Sequence, residues 1–278
     1  MSHPFFFEHL GGDRYLPSPH VQGAWNAHEQ HMAPVSGLLA HALERHDPRP
    51  DLQLARISYD ILGLIPLQES VVAVRTLRPG RTIELVEATL AVAGRVVVRA
   101  TGWRLAVGDS AAVEGAEVEP LPPPGAMEPW TGSDVWAGGY ISALEIWRTA
   151  DTRPGRGRVW LRSDVELLAP LDGVSGDGSD GVSSTAAFLR LVDTANGIAT
   201  RVGPDAWMFP NVDLTVHLFR QPVGPWVGLD TTVCFGPGGL GLTSSWLHDE
   251  RGPVGRVEQA LTVRPMPPPS PPRTTPSA

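Results

Sequence analysis

A chain of 278 residues, 42% hydrophobic and 19% charged, has room for one large or two modest domains with buried cores, which excludes a disordered protein. Its formal net charge of −8 excludes attraction of nucleic acid or an anionic lipid surface by bulk electrostatics. The single cysteine, Cys234, excludes an intrachain disulfide and any cysteine-based metal centre.

The chain opens with MSHPFFFEHLGGDRY, an aromatic triplet with no basic segment before it and no apolar run of signal-peptide length. No later stretch approaches the roughly 20 apolar residues of a membrane span. With no disulfide available, these features predict a cytoplasmic protein that does not enter a membrane. His28, Glu29 and His31 cluster ahead of the first helical pattern, but HEQH lacks the two-residue spacing of a zinc helix motif. They read as a pocket rim or a solvated face, and no metal is expected.

Val35–Arg45 places Leu38, Leu39, Ala42 and Leu43 on one helical face, with Ser36 near its N-terminal end. Strand patterns follow at Leu54–Leu64, Ser70–Leu77, Thr82–Val92 and Arg95–Leu105, the last two joined by an Ala93-Gly94 turn. The acidic, proline-rich stretch Val107–Pro129 reads as an interdomain linker.

Beyond it, Trp160–Leu168 alternates as a strand and a Gly/Ser/Asp loop covers Asp172–Gly181. Ser183–Arg201 carries an apolar helical stripe through Ala187, Leu191, Ala195 and Ile198. Strands are predicted at Val212–Phe219, Trp226–Phe235, Leu240–His248 and Gly255–Val263. The tail Met266–Ala278, MPPPSPPRTTPSA, has no core-forming residue and is expected to be disordered.

The order of one helix and then about four antiparallel strands thus occurs twice, in residues 1–106 and 130–265, around the linker at 107–129. A lone helix with an antiparallel sheet buries both apolar faces when the sheet wraps the helix. The prediction is an α+β double hotdog, although the periodicity alone also suits another α+β sandwich.

PGRTIELVEATLAVAGRVVVRATGWRL, LVDTANG, PNVDLTVHLFRQPVGPWVGLD and GPGGLGLTSSWLHDERGPVGRVEQALTVRP, in this order, resemble the TesB-like acyl-CoA thioesterases, in particular their actinobacterial branch. The resemblance runs from Trp25 to Pro265. It implies hydrolysis of a fatty acyl-CoA by a carboxylate-oriented water, with a hydroxyl and a Gln amide fixing that water and no cofactor required.

By the resemblance, Asp213 falls at the family's aspartate and Gln259 at its glutamine. Without it, Asp213 at a strand's start can equally cap the preceding turn. Gln259 shares a face with Val257, Leu261 and Val263, so it is a buried amide that must find partners, at a site or between helix and sheet.

The hydroxyl expected seven to eight residues after Trp226 meets Val233 and Cys234 instead. Thr231 or Thr232 can supply it only through a bulge. Alternatively Cys234 serves as a weak hydrogen-bonding group, with Val233 and Cys234 beside the substrate. As a nucleophile Cys234 lacks a nearby base, and a small buried hydrophobe is the expected state.

Offsetting by the repeat places Ile57 near Asp213 and Val98 near Gln259, which leaves the first half without the polar pair and the chain with one site. Trp25–Ser36 and the following Gly37 are expected to border the substrate cleft. Asp193 and Asn196, three apart on the second helix, support the site or cap the break at Gly197. His217, four residues along a strand from Asp213, stands too far away for the proton transfer of a hydratase. A non-catalytic acyl-ligand binder is the alternative to a hydrolase. Hotdog sheets leave edges to cover, and a homodimer or higher homo-oligomer is expected.

Overall fold

The computed structural model describes residues 4–170 and 181–267. The first half comprises β1 (Phe5–His9), β2 (Arg14–Pro17), α1 (Met32–Arg45), β3 (Leu52–Ile61), β4 (Ser70–Arg78), β5 (Ile83–Val92) and β6 (Arg95–Ala106). The second comprises β7 (Glu128–Pro129), α2 (Gly139–Ser142), β8 (Glu145–Arg148), β9 (Arg156–Arg162), β10 (Glu166–Leu168), α3 (Ser184–Val192), α4 (Ala195–Ile198), β11 (Trp207–Met208), β12 (Asp213–Leu218), β13 (Val227–Phe235), β14 (Leu240–Asp249), β15 (Gly252–Thr262) and β16 (Arg264–Pro265).

Fourteen strands form one sheet in the order β10-β1-β2-β4-β5-β6-β3-β12-β15-β14-β13-β9-β8-β7. The halves join where β3 pairs antiparallel with β12, Ser58 opposite Thr215. The expected double hotdog is the observed fold: each half wraps its own helix, and the alternating inner residues close one core. Ile57, Tyr59, Val86, Val98, Leu214, Val216, Val257 and Leu261 meet Leu38, Leu39, Leu43 and Leu189 there.

The two central helices run antiparallel. His31 of one faces Asp193 of the other, the Ser36 hydroxyl reaches the Leu189 carbonyl at 2.8 Å, and the Glu44 carboxylate accepts from the Ser183 hydroxyl. A Cβ on Gly37 would lie 2.6 Å from the Arg190 Cβ and 2.9 Å from the Ala186 carbonyl oxygen. Only glycine permits this approach.

Local chemistry moves several boundaries from their predicted places. α1 starts three residues before Val35, because Pro34 is tolerated in a first turn and the His31 side chain caps the helix. The predicted helix over Ser183–Arg201 breaks after Val192, where the Thr194 hydroxyl bonds back to the Leu191 carbonyl at 2.7 Å.

Trp160–Leu168 is two strands, since the Ser163 hydroxyl accepts from the Val165 N–H at 3.2 Å and turns the chain. The second piece, β10, pairs in parallel with β1 and so ties the N-terminus to the other half. Past its midpoint the linker is docked: Leu121 and Met127 are buried beside Trp160, whose indole N–H donates to the Pro122 carbonyl at 2.7 Å. The loop predicted at Asp172–Gly181 and the proline-rich tail lie, but for Gly181, Met266 and Pro267, outside the described residues. No described helix is long and apolar enough to cross a membrane.

Candidate active site

Antiparallel packing at Gly37 brings the N-terminus of α1 against the C-terminus of α3. A carboxylate stands at this junction. Asp193 is the C-cap of α3 and is 6% exposed. Its Oδ1 accepts two amide N–H groups, from Asn211 Nδ2 at 2.8 Å and from Gln259 Nε2 at 2.8 Å. Gln259 projects inward from β15, and Asn211 lies just before β12, bridged to Leu261 and also donating to the Asp213 carbonyl at 3.0 Å.

The second carboxylate oxygen, Oδ2, has no amide partner. It stands 3.7 Å from Nδ1 of His31. Burial raises the Asp193 pKa to about 7; the Asn211 and Gln259 amides oppose the rise, and the nearby Asp213 charge adds to it. His31 is held at a pKa of about 3 by burial, so it is neutral and the pair is not an ion pair near neutral pH.

These groups open onto a cavity of ≈ 430 Å³ that Asp193, Asn211 and His31 line. Its wall is apolar, with Trp25, Trp130, Trp136, Ile141 and Ile146. Trp25, Trp136 and Phe209 meet edge to face, at centroid separations of 5.0–5.8 Å, and the Trp136 indole donates to the Gly197 carbonyl at 3.0 Å. Met32, the first residue of α1, also lines the cavity. Its N–H, at the first position of the helix, has no carbonyl partner within α1.

Most of the residues singled out in the sequence sit elsewhere. Asp213 opens β12, where its Oδ1 accepts from the Ala260 N–H of the neighbouring β15 at 2.6 Å, a cross-strand bond and not a cap of the preceding turn, and it does not line the cavity. Thr231 points inward but is paired to Ser245 at 2.6 Å. Val233 is buried in the core, whereas Thr232 and Cys234 are exposed on the outer face of β13. β13 carries no bulge that would reorient them.

Ser36 and Gly37 are sealed between the helices and do not line this cavity. Gln259 alone among the named candidates touches the buried carboxylate. Asp193, read only as a support or a cap, is that carboxylate, and Asn211, which the sequence did not single out, is its second amide partner. Asn196 donates to the Phe209 carbonyl at 2.9 Å and lines the cavity beside Asp193. His28 and Glu29 border the loop before α1, and the described residues hold no cluster of His, Cys, Asp or Glu fit for a metal.

The first half has no equivalent site. Aligning the hairpin ends, Val92–Arg95 with Asp249–Gly252, puts Gly102 at the place of Gln259 and Arg56 at that of Asp213, in place of the expected Val98 and Ile57. Matching the helix caps, His31 with Ser183, puts His41 at the place of Asp193.

The two amides stabilise the charged form of Asp193, which defines a test of their role. Gln259→Leu or Asn211→Leu is expected to raise the Asp193 pKa further. The activity at pH 7 then falls several-fold and recovers at higher pH, a shift visible in the pH–rate profile. An unchanged profile would show that neither amide tunes this carboxylate.

Two family models match the chain, "Acyl-CoA thioesterase N-terminal domain" over residues 21–105 and "Acyl-CoA thioesterase C-terminal domain" over residues 117–263. The comparison with curated proteins returned no match. Among solved structures, a conserved hot dog fold protein of unknown function from Alicyclobacillus acidocaldarius is similar at a TM-score of 0.70 and 15% identity, covering 94% of this chain and 96% of that one. The TesB protein of Mycobacterium avium subs paratuberculosis aligns at 0.65 and 18%, covering 93% and 96%. An acyl-CoA thioesterase II from Mycobacterium marinum aligns at 0.65 and 16%, covering 97% of each. At these identities the solved structures speak for the fold, while the two models together span nearly all of both hotdog halves. The chain belongs to the acyl-CoA thioesterase family and is a thioester hydrolase.

Proposed function

We propose that the chain hydrolyses fatty acyl-CoA by water attack directed from Asp193. The observation that carries this reading is the asymmetry of that carboxylate: two amides fix Oδ1, and Oδ2 is left toward an apolar cavity. A water hydrogen-bonded to Oδ2 attacks the thioester carbon and passes its proton to Asp193. The tetrahedral intermediate then expels the CoA thiolate, which takes that proton and leaves the free acid. A pKa near 7 suits a base that must be ionised to accept the proton and protonated to return it. The Met32 N–H at the start of α1 is a donor for the developing oxyanion.

The tryptophan- and isoleucine-lined wall is matched to an acyl chain, with CoA as the carrier that the family implies. We expect the protein to work in the cytoplasm, in lipid metabolism, and as a homodimer or larger homo-oligomer. The non-catalytic alternative rested on a missing hydroxyl, and Asn211 now supplies a polar contact to the carboxylate.

Release of CoA thiol from acyl-CoAs of graded length tests the reading. Saturable binding without release at any length would overturn it. Asp213→Ala serves as the internal contrast. Its thiol release is expected to stay within about twofold of wild type, and loss of the bond to Ala260 should cost about 1 kcal/mol. A collapse of turnover in that variant would move the base from Asp193 to Asp213.

A further inference from the structure

We propose that His31 is a second catalytic residue of this reaction, its Nε2–H donating a hydrogen bond to the thioester carbonyl oxygen as the water held by Asp193 attacks. The inference deepens the thioesterase reading and rests on it.

The side chain is fixed from two directions. Nδ1 accepts the Ala33 N–H at 3.1 Å, the capping bond of α1. The imidazole stacks on the Tyr140 ring, 4.1 Å between centroids and 29° from parallel. The Tyr140 hydroxyl is in turn anchored at 2.7 Å to Thr194, the residue that follows Asp193. Because Nδ1 is an acceptor, the neutral ring carries its proton on Nε2.

Nε2 makes none of the hydrogen bonds of the described residues, and it is not among the buried polar atoms that lack a partner. It is therefore an accessible edge of a residue that lines the cavity. The imidazole approaches Asp193 through Nδ1, 3.7 Å from Oδ2, which leaves Nε2 as the ring nitrogen free for a ligand in the cavity. Both residues line the same cavity, so a thioester attacked by a water on Oδ2 can turn its carbonyl oxygen toward Nε2.

The electron balance is simple. The water oxygen forms the new bond to carbon while the carbonyl π pair moves to oxygen, where the Nε2–H and the Met32 N–H receive it. When the oxyanion collapses, the carbon–sulfur bond breaks and the sulfur takes the proton held by Asp193. His31 gives up no proton at any stage. A neutral imidazole suits such a role: it polarises a carbonyl without placing a competing cation beside the base, and burial keeps it neutral here.

A purely structural His31 would only cap the helix, and this can be separated from catalysis. His31→Ser retains a capping oxygen of equal quality but cannot reach the cavity. The full chain should keep its Tm within a few degrees. Its kcat should fall on the order of 100-fold, the loss typical of one oxyanion donor, with KM little changed. His31→Thr is the second capping variant if serine loosens the fold.

The carbonyl stretch of a bound acyl-CoA, read by difference infrared spectroscopy in Asp193→Asn, reports the hydrogen bond without turnover. It should lie at lower wavenumber than in the Asp193→Asn/His31→Ser double variant. Wild-type kcat in His31→Ser, or the same stretch with and without His31, would overturn the proposal. Should Asp193→Asn turn over as wild type, the thioesterase reading through Asp193 would fall, and the stretch would still decide whether His31 touches the carbonyl.

Discussion

Asp193→Asn lowers kcat for acyl-CoA hydrolysis by about 10²–10⁴-fold, the range typical of losing a positioned general base. Asparagine keeps an oxygen for the two amides of Asn211 and Gln259, so the loss falls on proton transfer and not on packing. The same substitution changes stability in a defined direction. The folded-state pKa of about 7 lies above the ordinary 3.8, so the native state holds this proton more tightly than the unfolded chain does.

Stability therefore falls as pH rises from about 4 to 7, and above that window the buried charge costs on the order of 4 kcal/mol. The Asn variant should lack this slope and be the more stable form above pH 7, as equilibrium unfolding across pH will show. In the wild type, kcat/KM should rise tenfold per pH unit and level off near pH 7, because only the ionised carboxylate accepts a proton. A profile flat between pH 5 and 8 would exclude Asp193 as the base.

Gly37→Val is the second large effect, and it acts through the fold. The new Cβ would stand 2.6 Å from the Arg190 Cβ and 2.9 Å from a backbone oxygen of α3, so the helices must separate. Overpacking of this kind costs about 3 kcal/mol or more, which at this chain length lowers Tm by roughly 6–12 °C. Separation also breaks the contact of the Ser36 hydroxyl with Leu189 and shifts His31 relative to Asp193. Thiol release should fall well below wild type even at temperatures where the variant is fully folded. Gly94→Ala is the contrast: it sits in an open turn with nothing within 4 Å, and only its φ of +77° opposes a side chain. A Gly37→Val protein with native Tm and activity would show that the close helix crossing does not set the site.

Both effects turn on contacts between segments distant in sequence, and this is where the residues alone were least informative. The paired pattern of a helix and then strands was readable because periodicity is local: Leu38, Leu39 and Leu43 mark α1, and alternation marks β5 and β15. Gln259 was legible for the same reason, since strand parity placed an amide on an apolar face. Asp193 was not. It lies in LVDTANG among helix-forming neighbours, and only its partners 18 and 66 residues away show it to be a buried, amide-held carboxylate.

Asn211 gave no signal at all, being one polar residue in a turn before a strand. Asp213 stands out through its place in a strand, where its Oδ1 accepts the Ala260 N–H. The threonines of β13 lie away from this carboxylate: Thr232 faces outward, and Thr231 is paired with Ser245. His31 looked like one of a scattered set of histidines until the helix cap fixed its tautomer. The parallel pairing of β1 with β10 was equally hidden, because a five-residue strand and a three-residue strand carry too little pattern to be matched.

Steady-state CoA release from acyl-CoAs of graded length, measured side by side for wild type, Asp193→Asn and Asp213→Asn, tests the central claim most directly. Turnover in wild type and Asp213→Asn, with collapse in Asp193→Asn at every pH, is the predicted result. Collapse in Asp213→Asn with Asp193→Asn still active would contradict it.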